Sequence, residues 1–190
     1  MTQKARHPGY RTLVGIQNMN NYTIRFANPT DAEQIARCHI ASWQKSYRGL
    51  FTDEVLATLS VPERTQRWFG ILNANVKVLV LEDNNRILGF VSLCASRDTD
   101  TDPKKCGEIH AIYLHPDAWY QGLGKNLCQQ ALAELLAMGF SEVMLWVLKE
   151  NEQARKFYQR MGFTETGHTK QECDYNVSFT LLRCIRALIP

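Results

Sequence analysis

The residues of this sequence best placed to do chemistry lie around two helix starts. One is a Gly-x-Gly turn, Gly122 and Gly124, flanked by Gln121 and Lys125, and the other is Asn151. A glycine turn that opens a helix exposes backbone N–H groups and the positive end of the helix dipole, and no Cβ blocks an approaching oxygen. The turn therefore predicts a site for phosphate groups. Taken alone, the pattern is also typical of an ordinary strand-to-helix turn.

The helix that starts at Asn151 carries one apolar stripe. Asn151 is a typical N-cap residue, and Gly162 is a typical C-terminal stop. Between them, Phe157 and Tyr158 belong to a row of apolar residues at helical spacing. A tyrosine at this position is either a core residue or a hydrogen-bond donor on a rigid, largely apolar frame.

The segment before the glycine turn carries two groups that could take up a proton. The run from Glu108 to Leu114 is typical of a strand, and two-residue alternation places Glu108 and His110 on the same face. An imidazole, with an ordinary pKa of about 6.5, suits general base catalysis. Structural alternatives remain open, because the glutamate could be held in a salt bridge and the histidine could be a hydrogen-bonded core residue.

Together these three segments resemble the GCN5-related N-acetyltransferase (GNAT) family. The most specific part is the pattern Asn-x-x-Ala-x-x-Phe-Tyr-x-x-x-Gly-Phe between Asn151 and Phe163, and the similarity extends from about Tyr22 to the C-terminus. The resemblance implies the family's fold. It also implies an enzyme that moves an acetyl group from acetyl-coenzyme A (acetyl-CoA) directly to an amine, without a metal.

The resemblance implies roles for particular residues. Tyr158 corresponds to the tyrosine that protonates or hydrogen-bonds the departing CoA thiolate. Glu108 lies fourteen residues before Gly122, at the spacing of the glutamate base in histone-acetylating members, and His110 is the second candidate for the base. The strand backbone before the turn pairs with the pantetheine arm, and the turn binds the pyrophosphate. The residues assigned to the cofactor are Ile112, Tyr113, Leu114, Gln121, Gly122, Leu123, Gly124, Lys125, Asn151, Phe157 and Tyr158.

The glycine turn departs from the family pattern Gln/Arg-x-x-Gly-x-Gly/Ala. Trp119 stands where the first polar residue belongs, and Tyr120 stands where a small residue is common. Because such a cradle uses mainly backbone N–H groups, we expect cofactor binding to persist with an altered entrance.

The acceptor site is expected near the first helices and the last strands. Trp43, Tyr47 and Phe51 are the candidate residues there. Their rings could bracket an amine through cation–π contacts, although a tryptophan and a tyrosine four residues apart on a helix are also typical of a core. The expected acceptor is a small amine, an amino acid, a polyamine or a peptide N-terminus.

Composition narrows the class of protein. A chain of 190 residues with 45% hydrophobic residues is typical of one globular domain, and a net charge of +3 does not favour nucleic acid as a partner. The six cysteines form no Cys-x-x-Cys pair, so we expect reduced thiols and a cytoplasmic location. The sequence predicts no metal site and no membrane partner. A homodimer is left open, since symmetric pairs are common.

The order of predicted elements indicates an α/β fold. We expect a mixed, mostly antiparallel central sheet of about six or seven strands, flanked by helices on both faces. A capping box is predicted at Thr30 to Glu33 and a hairpin turn at residues 83–85, and the two closing strands are expected at residues 164–170 and 175–186. Residues 1–21 are expected to be a flexible tail, and residues 22–190 the acetyltransferase domain.

Two other function classes compete with the enzyme. A binding module could keep the cofactor site and sense acyl-CoA without turnover, although Glu108 and Tyr158 count against it. A different nucleotide-binding protein is suggested only by the Gly-x-Gly turn, and the sequence lacks the phosphate-binding loop Gly-x-x-x-x-Gly-Lys-Ser/Thr.

Overall fold

Seven strands and five α-helices make up residues 22–188, the range that this computed structural model describes. The strands are β1 (Tyr22–Phe26), β2 (Lys77–Asp83), β3 (Arg86–Ala95), β4 (Cys106–Leu114), β5 (Glu142–Leu148), β6 (Thr164–Asp174) and β7 (Val177–Ala187). The helices are α1 (Ala32–Ser46), α2 (Asp53–Ala57), α3 (Val61–Asn73), α4 (Leu123–Ala137) and α5 (Glu152–Arg160). The predicted tail, residues 1–21, lies outside this range.

One mixed sheet organises the fold, with the strand order β1-β2-β3-β4-β5-β7-β6. Neighbouring strands are antiparallel except β4 and β5, which run parallel. A parallel pair needs a long crossover connection, and α4 supplies it. The predicted α/β class and the mostly antiparallel sheet are confirmed.

Helices cover both faces of the sheet. On one face α4 and α5 pack over a core that includes Leu127 and Tyr158. On the other face α1 and α3 pack over a core that includes Trp68 and Phe90. Strands β2, β3 and β4 contribute alternate side chains to the two cores, as Ile112 and Tyr113 do on β4. A site in the middle of the sheet can therefore be reached by residues from both faces.

The two parallel strands separate soon after they pair. β4 pairs with β5 only at residues 106–108. Two residues further along, β4 carries a bulge at His110, since Leu93 pairs with Ile109 whereas Ser92 pairs with Ala111. A bulge bends its strand and increases the local twist. Beyond His110, β4 and β5 diverge and leave a gap in the sheet.

Two hairpins have turns with left-handed residues. Asn84 and Asn85 have φ of 48° and 62°, which confirms the predicted turn between β2 and β3. Tyr175 and Asn176 have φ of 49° and 60° and connect β6 to β7 in the same way. The predicted start of the last strand at Tyr175 is therefore wrong, because Tyr175 belongs to the turn.

The predicted capping box is displaced by two residues. The backbone N–H of Asn28 donates to Asp31 at 2.8 Å, and the Asn28 side chain caps a short 3₁₀ helix, Pro29–Asp31, that precedes α1. Glu33 instead pairs with Arg37 on the surface of α1. Pro29 favours this earlier start, because proline suits the first position of a helix.

No helix within residues 22–188 is long and apolar enough to cross a membrane. All six cysteines are free thiols. The same range holds no cluster of three His, Cys, Asp or Glu side chains that could bind a metal ion.

Candidate active site

A groove of about 1680 Å³ opens at the gap between β4 and β5. Helices α4 and α5 line it from one face of the sheet, and α1 and α3 line it from the other. Of the site residues predicted from the sequence, Gln121 and Leu123 are absent from the lining. The others line it together: Trp43, Tyr47, Phe51, Glu108, His110, Ile112, Tyr113, Leu114, Gly122, Gly124, Lys125, Asn151, Phe157 and Tyr158.

The backbone of β4 presents alternate residues to the gap. The N–H of His115 donates to the carbonyl of Leu88 at 2.7 Å, so Tyr113, two residues earlier, also directs its N–H and C=O toward β3. Ile112 and Leu114 consequently direct theirs toward the gap. The assignment of the Tyr113 backbone to the pantetheine arm is corrected, since only its side chain faces the groove.

Trp119 forms a hydrogen bond with one of these backbone groups. Its indole N–H donates to the Leu114 carbonyl at 2.9 Å. The tryptophan that stands in place of the expected polar residue thus fixes the end of β4. The groups of β4 left for an added strand-like ligand are the N–H and C=O of Ile112 and the N–H of Leu114.

The start of α4 forms a cradle of backbone N–H groups. Gly122 is its N-cap with φ of 78°, and no side chain caps this end. The first-turn N–H groups of such a helix have no intrahelical partner. The Leu123 side chain is buried in the core, and Gln121 donates to the Asp117 carbonyl at 2.6 Å. Their side chains are therefore not part of the groove lining.

Gly124 is not required by the packing of the protein itself. A Cβ at this position would lie 3.7 Å from Leu114 and from Phe157, which is ordinary contact distance. The glycine therefore leaves space on the groove side of the helix start. Tyr120, in the same turn, has φ of 60° and is 89% exposed, so its aromatic side chain is largely solvent-exposed beside the cradle.

Positive charge surrounds the cradle. Lys125 and Arg160 line the groove, and both also line a smaller cavity of about 420 Å³ together with Arg186. This arrangement suits a multiply charged phosphate ligand. Arg160 was not predicted from the sequence, because it lies at the end of α5, far along the chain from the glycine turn.

The start of α5 is capped by its own asparagine. The Asn151 Oδ1 accepts a hydrogen bond from the Ala154 N–H at 3.0 Å. Asn151 lines the groove while it performs this capping role. The cap fixes the position of the helix that carries Phe157 and Tyr158.

Tyr158 is a buried phenol at the groove. Its ring packs against Phe157 and Phe163, with centroids 5.4 Å and 5.8 Å away. Burial, and to a lesser extent the nearby Cys128 thiol, raises the pKa of Tyr158 far above its ordinary value. The hydroxyl is therefore protonated at neutral pH and can donate a hydrogen bond or a proton.

Glu108 and His110 are both held by Arg97. The Arg97 guanidinium donates to the Glu108 carboxylate at 3.1 Å and 2.7 Å, and its Nη2 lies 2.6 Å from His110 Nδ1. Burial raises the pKa of Glu108, but hydrogen bonds from His110 and Arg97 outweigh it and lower the pKa to about 2. The His110 Nδ1 also lies 3.5 Å from Glu108 Oε1, so its tautomer decides whether it accepts from Arg97 or donates to Glu108.

The three candidate acceptor residues form one aromatic cluster. Trp43 contacts Tyr47 and Phe51, with centroids 4.8 Å and 5.7 Å apart. Phe51 is only 4% exposed and belongs to a small core. The indole N–H of Trp43 donates to the Tyr113 hydroxyl at 3.2 Å. These residues therefore belong to a small core and also line the groove.

Further polar groove residues were not identified from the sequence. Arg97 follows the end of β3, and the pairing of Ala95 with Gly107 brings it to Glu108. Arg64 and His39 lie on helices without a distinctive motif, so no sequence signal connects them to the gap between β4 and β5.

Solved acetyltransferases have this fold. An N-acetyltransferase of Staphylococcus aureus Mu50 matches with a TM-score of 0.69 and 20% identity, over 90% of this chain and 100% of that one. A Salmonella typhimurium protein, solved with its cofactor acetyl-CoA, matches with a TM-score of 0.66 and 22% identity, over 90% of this chain and 96% of that one. These likenesses show that the fold is that of the acetyltransferases.

The sequence comparisons give the family. The model of the Acetyltransferase (GNAT) family matches residues 37–163. An uncharacterized N-acetyltransferase of Bacillus subtilis is 30% identical over 72% of this chain and 77% of its own length. One of Methanocaldococcus jannaschii is 35% identical over 77% of this chain, which spans 62% of that protein. The chain belongs to the GNAT family of acetyltransferases.

Proposed function

We propose that this protein transfers the acetyl group of acetyl-CoA directly to a primary amine of a small molecule, an amino acid, a polyamine or a peptide N-terminus. The observation that carries the proposal is the arrangement of one groove, in which a backbone phosphate cradle at Gly122 and a buried neutral phenol at Tyr158 lie on the same gap between β4 and β5. Acetyl-CoA is the donor that this family uses, and the residues present fit its parts.

The cofactor is proposed to lie along the α4 and α5 side of the groove. Its pyrophosphate would bind the first-turn N–H groups of α4, with Lys125 and Arg160 beside them. Its pantetheine amides would pair with the free backbone groups of Ile112 and Leu114. Asn151 and Phe157 would border the arm near the thioester.

The transfer step is a substitution at the thioester carbonyl. The nitrogen lone pair forms the new C–N bond, and the C–S bond breaks with its electron pair on sulfur. Tyr158 is proposed to protonate or hydrogen-bond this thiolate, because burial keeps the phenol neutral, so that its O–H is present at neutral pH. The nitrogen must lose one proton in the same process.

The proton from the nitrogen is proposed to leave through water at the Glu108, Arg97 and His110 cluster. As held, Glu108 is ionised and has a low pKa, so it is a weak base, and His110 Nδ1 lies 2.6 Å from Arg97 Nη2. An aliphatic ammonium has a pKa of about 10.4, so the reactive species is the small neutral fraction of the acceptor.

The cytoplasmic location and the homodimer stay predictions.

Release of free thiol from acetyl-CoA, followed over a panel of amines, tests the proposal. We expect amine-dependent release, with the acetylated amine as the product in equal amount. Binding of acetyl-CoA without release for any amine would instead support a sensing module.

A further inference from the structure

The groove wall formed by α1 and α3 carries donors and positive charge but no acid. Arg64, Arg67 and His39 line this wall, together with Lys45. Helices α1 and α3 are both fully described, and none of their groove-lining residues is an aspartate or a glutamate. The wall is therefore complementary to an anion.

His39 presents a fixed donor on this wall. The Trp68 indole N–H donates to His39 Nδ1 at 3.3 Å, so a neutral ring must carry its proton on Nε2. Burial, followed by the charges of Arg64 and Arg67, lowers the pKa of His39 to about 3, which keeps the ring neutral. The side chain is 9% exposed, and within residues 22–188 its Nε2 makes no hydrogen bond.

Two arginines beside His39 lack a carboxylate partner. Arg64 and Arg67 lie one helical turn apart on α3, and no carboxylate of the described residues forms an ion pair with either. Six other arginines do have such a partner: Arg25, Arg37, Arg86, Arg97, Arg155 and Arg183. The missing partner of Arg64 and Arg67 could be supplied by a ligand.

The Arg64 guanidinium also occupies the aromatic cluster. It stands over the Trp43 ring, 5.5 Å from the centroid. An ammonium group bound on this ring would meet that positive charge. The cation–π bracket expected for an acceptor amine is therefore disfavoured at Trp43, and an anion at the same place would be attracted.

We propose that Arg64, Arg67 and His39 bind an anionic group of the acceptor, so that the substrate is a primary amine that also carries a carboxylate or a phosphate. This inference rests on the proposed acetyl transfer. Planar guanidinium groups bind such oxyanions with paired hydrogen bonds, and the His39 N–H adds another donor. Polyamines, which carry only positive charge, are expected to be poor acceptors.

The position of this subsite agrees with a reaction at the gap. The His39 ring stacks on Tyr113 with centroids 4.5 Å apart, and Tyr113 lies on β4 between Ile112 and Leu114. The anion would thus lie on the α1 and α3 face of the sheet, while the cofactor occupies the opposite face. The amine of the same molecule would reach toward the thioester through the gap.

The test compares acceptors that differ in one group. Thiol release is measured with an ω-amino acid, its carboxamide, the diamine of equal length and the matching aminoalkyl phosphonate. We expect kcat/KM for the better of the two anionic acceptors to exceed that of the carboxamide by about 100-fold, and to exceed that of the diamine by more. The carboxylate and phosphonate arms identify which oxyanion is preferred.

Variants of the two arginines test whether these residues cause the preference for anionic acceptors. In the double variant Arg64→Met with Arg67→Met, the preference over the carboxamide should fall to less than about fivefold, and Arg64→Lys with Arg67→Lys should retain part of it. Arg37→Met, on the outer surface of α1, is the matched control and should keep the full preference. Calorimetry should give the same affinity for acetyl-CoA in all of these proteins.

The outcomes separate this inference from the proposed function. Equal turnover of anionic and neutral acceptors, an unchanged preference in the Arg64 and Arg67 double variant, or no anionic acceptor acetylated faster than its neutral match would overturn the anion subsite. Failure of the unaltered protein to bind acetyl-CoA would overturn the proposed function instead.

Discussion

The Arg97 guanidinium donates two hydrogen bonds to the Glu108 carboxylate, from Nε to Oε2 at 3.1 Å and from Nη2 to Oε1 at 2.7 Å. The same Nη2 lies 2.6 Å from His110 Nδ1. One arginine therefore contacts both residues that the sequence indicates as bases. This relationship leads to two predictions, one for catalysis and one for stability.

The first prediction concerns the pH dependence of kcat/KM. Since Glu108 has a pKa of about 2 and stays ionised over this range, kcat/KM for an aliphatic amine should rise about tenfold per pH unit between pH 6 and 9, following the neutral amine. Arg97→Met leaves Glu108 buried without its cation, which raises the pKa of the carboxyl and should change the profile at its acid end. A profile of the unaltered enzyme that levels off near pH 7 would show that a base titrates there.

The second prediction concerns acid unfolding. The pKa of Glu108 is about 2 in the folded protein, below the value of about 4.3 expected in the unfolded chain. The stability that ionised Glu108 contributes is present above pH 4.3 and is lost as the pH falls toward 2. Urea unfolding followed by tryptophan fluorescence should show the stability advantage over Glu108→Gln shrinking between pH 5 and 2. An advantage that grows on acidification would contradict this account.

The third prediction concerns the departing thiolate. Tyr158→Phe removes the hydroxyl but keeps the ring that packs against Phe157 and Phe163. We expect kcat to fall by about 100-fold, because a general acid of this kind contributes 10²- to 10⁴-fold, while the Kd for acetyl-CoA changes less than about threefold. Stopped thiol-release assays and calorimetry measure the two quantities. Full activity in this variant would exclude a proton-donating role.

The fourth prediction separates two glycines of the cradle. Gly124→Ala introduces a Cβ at ordinary contact distance in a helix, so the folded protein should be as stable as before or more stable by up to about 1 kcal/mol. Its KM for acetyl-CoA should nevertheless rise, because the Cβ occupies the space next to the phosphate cradle.

Gly122→Ala is the matched comparison for that variant. Its Cβ meets no atom within 4 Å, but φ of 78° strains an alanine by about 1 kcal/mol or more. The midpoint temperature of thermal unfolding should therefore be lower for Gly122→Ala than for Gly124→Ala. If Gly124→Ala bound acetyl-CoA as tightly as the unaltered protein, the cradle would be misplaced.

The sequence predicts the fold well because its signals are local. Asn84 and Asn85 specify a hairpin turn, and Asn151 and Gly162 bound a helix, so these elements are recognisable without tertiary contacts. The errors also have local causes. Pro29 starts a 3₁₀ helix one turn before α1, and Asn176 next to Tyr175 forms a second hairpin turn that the sequence analysis placed within a strand.

The site is predictable only in part, because its charges come from separate elements. The glycine turn and the Asn151 helix have motifs, so the cofactor side can be proposed from the sequence. Arg97 reaches the groove from the end of β3, Arg160 from the end of α5 and Arg64 from a face of α3. Such positions depend on how β4 and β5 separate, which no local pattern of residues specifies.

Titration of the purified protein with acetyl-CoA, coupled to thiol release in the presence of amines, tests the central account most directly. We predict one binding site per chain with a Kd between about 1 µM and 1 mM, and amine-dependent release of CoA that Tyr158→Phe slows. Absence of any binding heat for acetyl-CoA and for free CoA would contradict the assignment of the groove to this cofactor.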